Sequence, residues 1–550
     1  MSTVDLKSLR RAFGLSPSAE GSVSSTPNPP LVVLGPALVI AAAMLLPLAY
    51  LLVRTSTADQ EAIDLLLRPR TLQLALQTFA LALTVTAGAV LIAVPLAWLT
   101  VRTDLPGRRI WSVIVSLPLV IPSYVGGFVI IAALGPRGIL QQALAEPFGI
   151  ERLPEIYGFP GAALALILFT FPYVLLSVQA GLQMLDPALE ETSRSLGLSS
   201  WRTFRRVTLP QLRPSISAGG LLVALYVLSD FGVVSLLRFD SFTRVIYVQY
   251  QSSLDRTLAS AFALILVFVT LLILLIEMRT RGRASYHRAG TGSGIAQPTP
   301  KVRLRHWKWP AILFCAGVAT IGLIMPILVL IYWVTRNVSV GVDLSEPLTF
   351  ALNSLYASGL GAAVSVLAAV PVGILLVRHK GTVGGIIERV VYSAYALPGI
   401  VIALSLVFFG ANFATPVYQT LGLLIFAYLV RFLPQAVGAV RASLLTVGPE
   451  LEEAGRSLGR APLRVITTVT VPLIRPGLVY GAALVFLTTM KELPATLLLS
   501  PIGFKTLSTS TWSYASEGFF AKAAIPALIL ILVAAFPMAF LRVHERRAIS

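Results

Sequence analysis

The chain has 550 residues, 56% of them hydrophobic and 12% charged, and its mean hydropathy is +0.81; with about half the charged share of an ordinary soluble domain, it is not a soluble globular protein. The formal charge of +18 would suggest nucleic-acid binding in a soluble chain, so its distribution along the sequence decides its meaning. The single cysteine, Cys315, lies in an apolar run, which excludes a disulfide framework and a cysteine-built metal site.

In chain order, residues 1–30 are rich in Ser and Pro and carry Lys7, Arg10 and Arg11. They predict a disordered cytoplasmic tail with no cleavable signal peptide. Twelve stretches are apolar for long enough to cross about 30 Å of hydrocarbon. Six lie near 31–53, 74–101, 110–134, 161–184, 215–237 and 257–278, and six near 311–334, 351–377, 387–410, 421–445, 477–499 and 521–542. Prolines within or beside them (Pro95, Pro118, Pro122, Pro172, Pro371, Pro398 and Pro434) predict kinks. Residues 279–310, rich in Arg, Gly, Ser and Pro, predict a polar cytoplasmic linker between a first half, 31–278, and a second, 311–545.

The tail, the linker, the C-terminal end and the loops on their side hold 30 of the 43 Lys and Arg residues; the opposite loops hold 11, and Arg431 and Lys491 fall within or at the edge of spans. By the positive-inside rule both termini are cytoplasmic, and the charge is a mark of topology rather than of nucleic-acid binding.

The halves repeat. Between Pro187 and Pro214 and again between Pro449 and Pro476, 262 residues on, half of the aligned positions are identical, and both copies are polar islands. Leu74–Gln77 resembles Phe350–Asn353, Pro95 and Arg102 match Pro371 and Arg378, and Leu117-Pro118 matches Leu397-Pro398. Six spans per half, each half starting on the same side, make a parallel repeat about an axis along the membrane normal. The predicted fold is therefore an all-α integral membrane protein of twelve transmembrane helices in two parallel six-helix repeats, with a pathway at their interface.

Each polar island contains acids (Glu190 and Glu191; Glu452 and Glu453), then a glycine (Gly197; Gly459), then V-T-L-P or V-T-V-P ending at Pro210 or Pro472. A short helix, a glycine free to take positive φ and a second short segment stopped by proline predict a helix-turn-helix. Asp186 is placed to cap the first copy, where Gly448 stands in the second. These islands resemble the E-A-A-x3-G-x9-I-x-L-P loop of ABC importer permeases, with T-S or A-G for A-A and Val for Ile. The resemblance implies the type I importer permease fold, with each loop docking on one of two copies of a cytoplasmic ABC ATPase subunit, one permease chain per complex, in a bacterial inner membrane.

Ser229-Asp230-Phe231-Gly232 and Lys491-Glu492-Leu493-Pro494, with the residues that follow each, are similar to ferric-iron ABC importer permeases. That implies Fe3+ as transported cargo, a periplasmic iron-binding protein as partner, no cofactor bound by this chain, and ATP and Mg on the partner subunit. A hard cation favours oxygen donors. Asp230 and Glu492 stand at matching repeat positions and form an acidic constriction if they face each other across the axis. In the other reading both are capped or salt-bridged at span ends, with Lys491 paired to a carboxylate. Arg431, whose repeat counterpart is Phe169, is read first as a structural ion pair, and otherwise as a pathway residue for iron carried by an anionic chelator. His287, His306, His379 and His544 fall in cytoplasmic loops or ends, with no metal-site spacing.

No phosphate-binding G-x-x-x-x-G-K-[ST] loop occurs, and no catalytic triad or cofactor fingerprint is seen, so the expectation is a non-catalytic membrane subunit in contact with lipid. Thiamine, a phosphonate or another small solute is the alternative cargo. An ion-driven secondary carrier is a more distant alternative, since it has no use for paired docking loops.

Overall fold

A computed structural model of the chain describes residues 29–549, apart from 57–59, 61–63, 65, 67, 137, 253–256, 281–300, 339–344 and 380. The expected tail up to residue 28 and the central part of the linker, with His287, lie outside the described residues. Among those described the chain is helical, with one isolated β-bridge between Thr103 and Val302.

Among the described residues nine helices are long and apolar enough to cross a membrane, ten if the bent pair Pro462–Leu473 and Arg475–Met490 counts as one span, and Gly399–Phe413 and Phe520–Ala535 are shorter apolar helices. Each of the twelve expected stretches thus carries a helix, but not as twelve uniform spans. Four are broken, at equivalent places in the two halves. The stretch at 110–134 divides into Arg108–Ile114, a turn at Leu117–Val120, and Ser123–Leu134. Its counterpart divides into Thr382–Ser393, a turn at Ala394–Ala396, and Gly399–Phe413. Pro122 and Pro398 stand as the N-cap residues of the inner pieces, where a residue without an N–H breaks no helical hydrogen bond. The repeat register therefore shifts from the expected one: Leu397-Pro398 corresponds to Ile121-Pro122, while Pro118 lies inside the preceding turn. Leu209–Ser229 is followed by the short helix Gly232–Leu236, and Arg475–Met490 by Pro494–Leu499. Pro95, Pro172, Pro371 and Pro434, by contrast, lie inside continuous helices.

In the first half Pro69–Arg102, Phe159–Met184 and Leu209–Ser229 pack as a triangle, and in the second Ser345–Arg378, Leu421–Thr446 and Arg475–Met490 pack the same way. One close approach shows the equivalence. A Cβ on Gly181 would lie 2.2 Å from Ser215 Oγ, and a Cβ on Gly477 would lie 2.4 Å from Ser443 Cβ. The glycine is on the fourth stretch in one half and on the fifth in the other, so one small pair keeps both interfaces tight.

The first stretch of each half leaves its own triangle. Leu31–Ser56 packs against Thr257–Thr280 of its own half and against Ser345–Arg378, Thr382–Ser393 and Gly399–Phe413 of the other. Met325–Val338 packs against Phe520–Ile549 and, across the interface, against Ser123–Leu134. The halves are thus interlocked by exchange of their first helices.

Candidate functional site

Both polar islands fold as hairpins. Asp186 accepts the Ala188 N–H at 2.9 Å and caps Pro187–Ser195; the counterpart Glu450–Ser457 begins after Pro449 without a side-chain cap. Gly197 (φ +82°) and Gly459 (φ +75°) make the turns, in a left-handed region that any Cβ disfavours. The second segments, Ser200–Thr203 and Pro462–Val465, run into π-turns at Phe204–Thr208 and Ile466–Thr470. Neither segment is stopped by its proline, contrary to expectation. Pro210 falls in the first turn of Leu209–Ser229 and Pro472 in Val471–Leu473, positions where a missing N–H is tolerated. In the second copy the axis then bends by 74° before Arg475–Met490.

The four acids divide into two kinds. Glu190 and Glu452 are buried, whereas Glu191 and Glu453 are exposed. Glu190 Oε1 accepts from Thr208 Oγ1 at 2.9 Å and lies 3.7 Å from Arg102 Nη2, which donates to the Leu182 carbonyl at 3.0 Å. Glu452 Oε1 accepts from Thr470 Oγ1 at 3.2 Å and from Arg378 Nε and Nη2, each at 3.2 Å, while Arg378 Nη2 donates to the Val447 carbonyl at 2.9 Å. Each hairpin is therefore bolted to the last residue of the second helix of its half by a buried Arg–Glu–Thr cluster. The sequence reading missed this role, although Arg102 and Arg378 were repeat markers and both threonines belong to the V-T-x-P string. The outer faces carry Glu191 and Glu453 beside exposed apolar side chains at matching positions: Leu189, Leu196 and Trp201 in one, Leu451, Leu458 and Leu463 in the other.

Leu209–Ser229 has 21 residues, about 30 Å at 1.5 Å per residue, and leads from the first hairpin to a cavity of about 180 Å³ between the halves. Asp230, Glu492, Arg431 and Lys491 all line it. Asp230 Oδ1 accepts the Val233 N–H at 3.0 Å, and its Oδ2 accepts from Ser123 Oγ at 2.5 Å. Glu492 accepts the N–H groups of Ala495 and Thr496 at 3.1 and 3.0 Å and the Thr496 hydroxyl at 3.1 Å. Each acid thus holds the start of the short helix that follows it.

Arg431 Nε approaches Glu492 Oε1 to 3.8 Å. Space for it exists because residue 399 is glycine: a Cβ there would lie 2.7 Å from both Arg431 Nη1 and Glu492 Oε1. In the first half Ser123 and Phe169 stand in place of Gly399 and Arg431, and Phe169 fills the space over Gly126. Lys491 is not paired to a carboxylate among the described residues; its Nζ donates to the Leu119 carbonyl at 3.0 Å. Among the described residues no three His, Cys, Asp or Glu side chains are grouped to hold a metal ion. His306 lies in the turn Arg305–Trp307, and His379 is buried directly after Arg378.

Residues 89–279 and 361–550 each match the family described as binding-protein-dependent transport system inner membrane component. The Fe(3+)-transport system permease protein FbpB 2 of Haemophilus influenzae is 35% identical over 502 residues, 90% of this chain and 95% of that one. The ferric transport system permease protein FbpB of Actinobacillus pleuropneumoniae is 26% identical over 76% of this chain and 63% of its own length. The molybdenum transport system permease protein ModB of Escherichia coli is 34% identical over 28% of this chain and 69% of its own.

Proposed function

The chain belongs to the family of binding-protein-dependent transport system inner membrane components, whose unit it carries twice, and from that premise we propose that it is the permease of a ferric-iron ABC importer. The observation that carries the coupling half of this reading is the pair of bolted hairpins. Two equivalent surfaces, each with an exposed acid (Glu191 or Glu453) and three exposed apolar side chains at matching positions, suit two copies of one partner. That partner is a cytoplasmic ABC ATPase subunit, holding the ATP and Mg that this chain has no loop to bind. The likeness over 90% of the chain to an Fe(3+)-transport permease supports the cargo.

In this reading the hairpins face the cytoplasm, which the Lys and Arg distribution supports, and one chain serves one complex. A periplasmic iron-binding protein delivers cargo to the opposite face. Closure of the ATPase pair moves both hairpins, and the Arg102–Glu190 and Arg378–Glu452 bolts pass the movement to the second helix of each half. Nucleotide shifts the permease only because the closed pair fits one of its states better than the other. Residues 31–278 and 311–545 act as the two halves, with Asp230 and Glu492 in the pathway.

Reconstitution in liposomes with the ATPase and the binding protein tests the reading. Binding protein loaded with Fe3+ should stimulate ATP hydrolysis and drive iron uptake, and binding protein offered thiamine, molybdate or sulfate should not. Stimulation by one of these solutes in place of iron would reassign the cargo; absence of any hydrolysis dependent on the chain would remove the coupling assignment.

A further inference from the structure

Four charged side chains line the cavity, and their partners separate them into two classes. The carboxylates are engaged. Both Asp230 oxygens accept hydrogen bonds, from Val233 N–H and Ser123 Oγ, and both Glu492 oxygens accept backbone N–H groups, from Ala495 and Thr496. The cations are not. Lys491 donates only to Leu119 O among the described residues, leaving two of its three N–H directions open. Arg431 makes no hydrogen bond among the described residues; it has the 3.8 Å approach to Glu492 and a place over the Phe432 ring. Its five N–H donors are available to a ligand.

Both cations depart from the repeat. The counterparts of Arg431 and Lys491 are Phe169 and Ser229, and Gly399 is what makes room for Arg431. The cavity is also met by the N-terminal end of Ser123–Leu134, through Pro122, Ser123 and Tyr124, where the helix dipole favours negative charge. With two engaged carboxylates, two cations and a helix N-terminal end, this cavity is not a cage for a bare trivalent cation. A hard cation takes about six or more oxygen donors, several of them carboxylates, and here it would face an ammonium and a guanidinium instead.

We propose that the cavity takes its cargo as an oxyanion complex. Ferric iron crosses with an oxygen-donor anion still bound, its charge masked, and the outer oxygens of that anion rest on Lys491 and Arg431. The bidentate fork of Arg431 suits a planar carboxylate or a phosphate, and Lys491 adds a point charge. The inference rests on the ferric-iron reading and concerns the form in which the iron is carried.

Double-label uptake tests it. The full chain, with its ATPase and binding protein in proteoliposomes, is offered 55Fe(III) with 14C-citrate in one arm and with 32P-phosphate in another. The expected result is ATP-dependent entry of iron and of one anion label in a fixed ratio, with the two arms identifying the anion. Lys491→Met should lower entry of both labels at least tenfold while leaving ATPase pull-down unchanged. Iron entering without either anion label, at an undiminished rate, overturns the proposal without using any variant. Entry of an anion label without iron overturns the iron reading itself, and the complex with it.

Discussion

At the scale of single residues, adjacent glutamates have opposite roles. Glu452 is buried against Arg378 with side-chain exposures of 4% and 11%, while Glu453 is exposed. Breaking a buried ion pair by neutralising one member costs about 3–5 kcal/mol, because the other charge is left without compensation. Glu452→Gln should therefore lower the melting temperature of the purified chain and uncouple ATP hydrolysis from uptake. Glu453→Gln should leave melting unchanged and weaken ATPase pull-down. Equal melting of the two variants would remove the bolt. The sequence showed that an acidic pair stood in each loop, but not which member turned inward. That depends on the hairpin's rotation about its own axis, which Thr208 and Thr470 fix from 18 residues away. For the same reason the Arg431–Glu492 approach was not legible: it requires Gly399 to lie beside both, a contact between residues far apart in the chain.

Among elements, hydropathy located twelve apolar stretches but not the breaks inside four of them, because an apolar run scores alike whether it folds as one helix or two. Two breaks fall before Pro122 and Pro398, and two at Asp230 and Glu492, whose carboxylates hold the helix that follows. The linker shows a second limit of composition. Its polar residues read as free, yet its end is tied down: Val302 pairs with Arg102 and Asp104 through backbone hydrogen bonds of 2.9 and 3.1 Å. Asp104 accepts the Leu304 N–H at 2.8 Å and lies 3.4 Å from Lys308. The Leu304 hydrogen bond, and then Lys308, hold the Asp104 carboxyl below its ordinary value. A carboxyl with a lowered folded-state value contributes fully above the ordinary Asp range, near pH 4, and that contribution disappears as pH falls through the lowered value. Hydrogen exchange at Leu304 should thus be the same at pH 6 and pH 8 once corrected for intrinsic rate. Asp104→Asn should raise tryptic cleavage after Arg303 and Arg305 at neutral pH; unchanged cleavage would mean that Asp104 does not hold the linker end.

For the molecule as a whole, the internal repeat was legible because two hairpins of one pattern stand 262 residues apart, whereas the exchange of first helices left no mark in either copy. It has a direct test. Residues 1–290 and 291–550, co-expressed as separate polypeptides, should copurify in detergent, and either alone should fail to accumulate as a monodisperse species. A stable, monodisperse single half would refute the interlock.

The exchange also sets an order of events during synthesis. Leu31–Ser56 is among the first parts of the chain made, yet its partner Ser345–Arg378 follows roughly 290 residues later. At about 5–20 residues per second of translation, the first helix waits on the order of 15–60 s in lipid before that partner emerges. During that interval the second half of a neighbouring nascent chain presents the same groove. Ribosome spacing on the message, and not only the folded structure, therefore governs whether the helix closes on its own chain or on another.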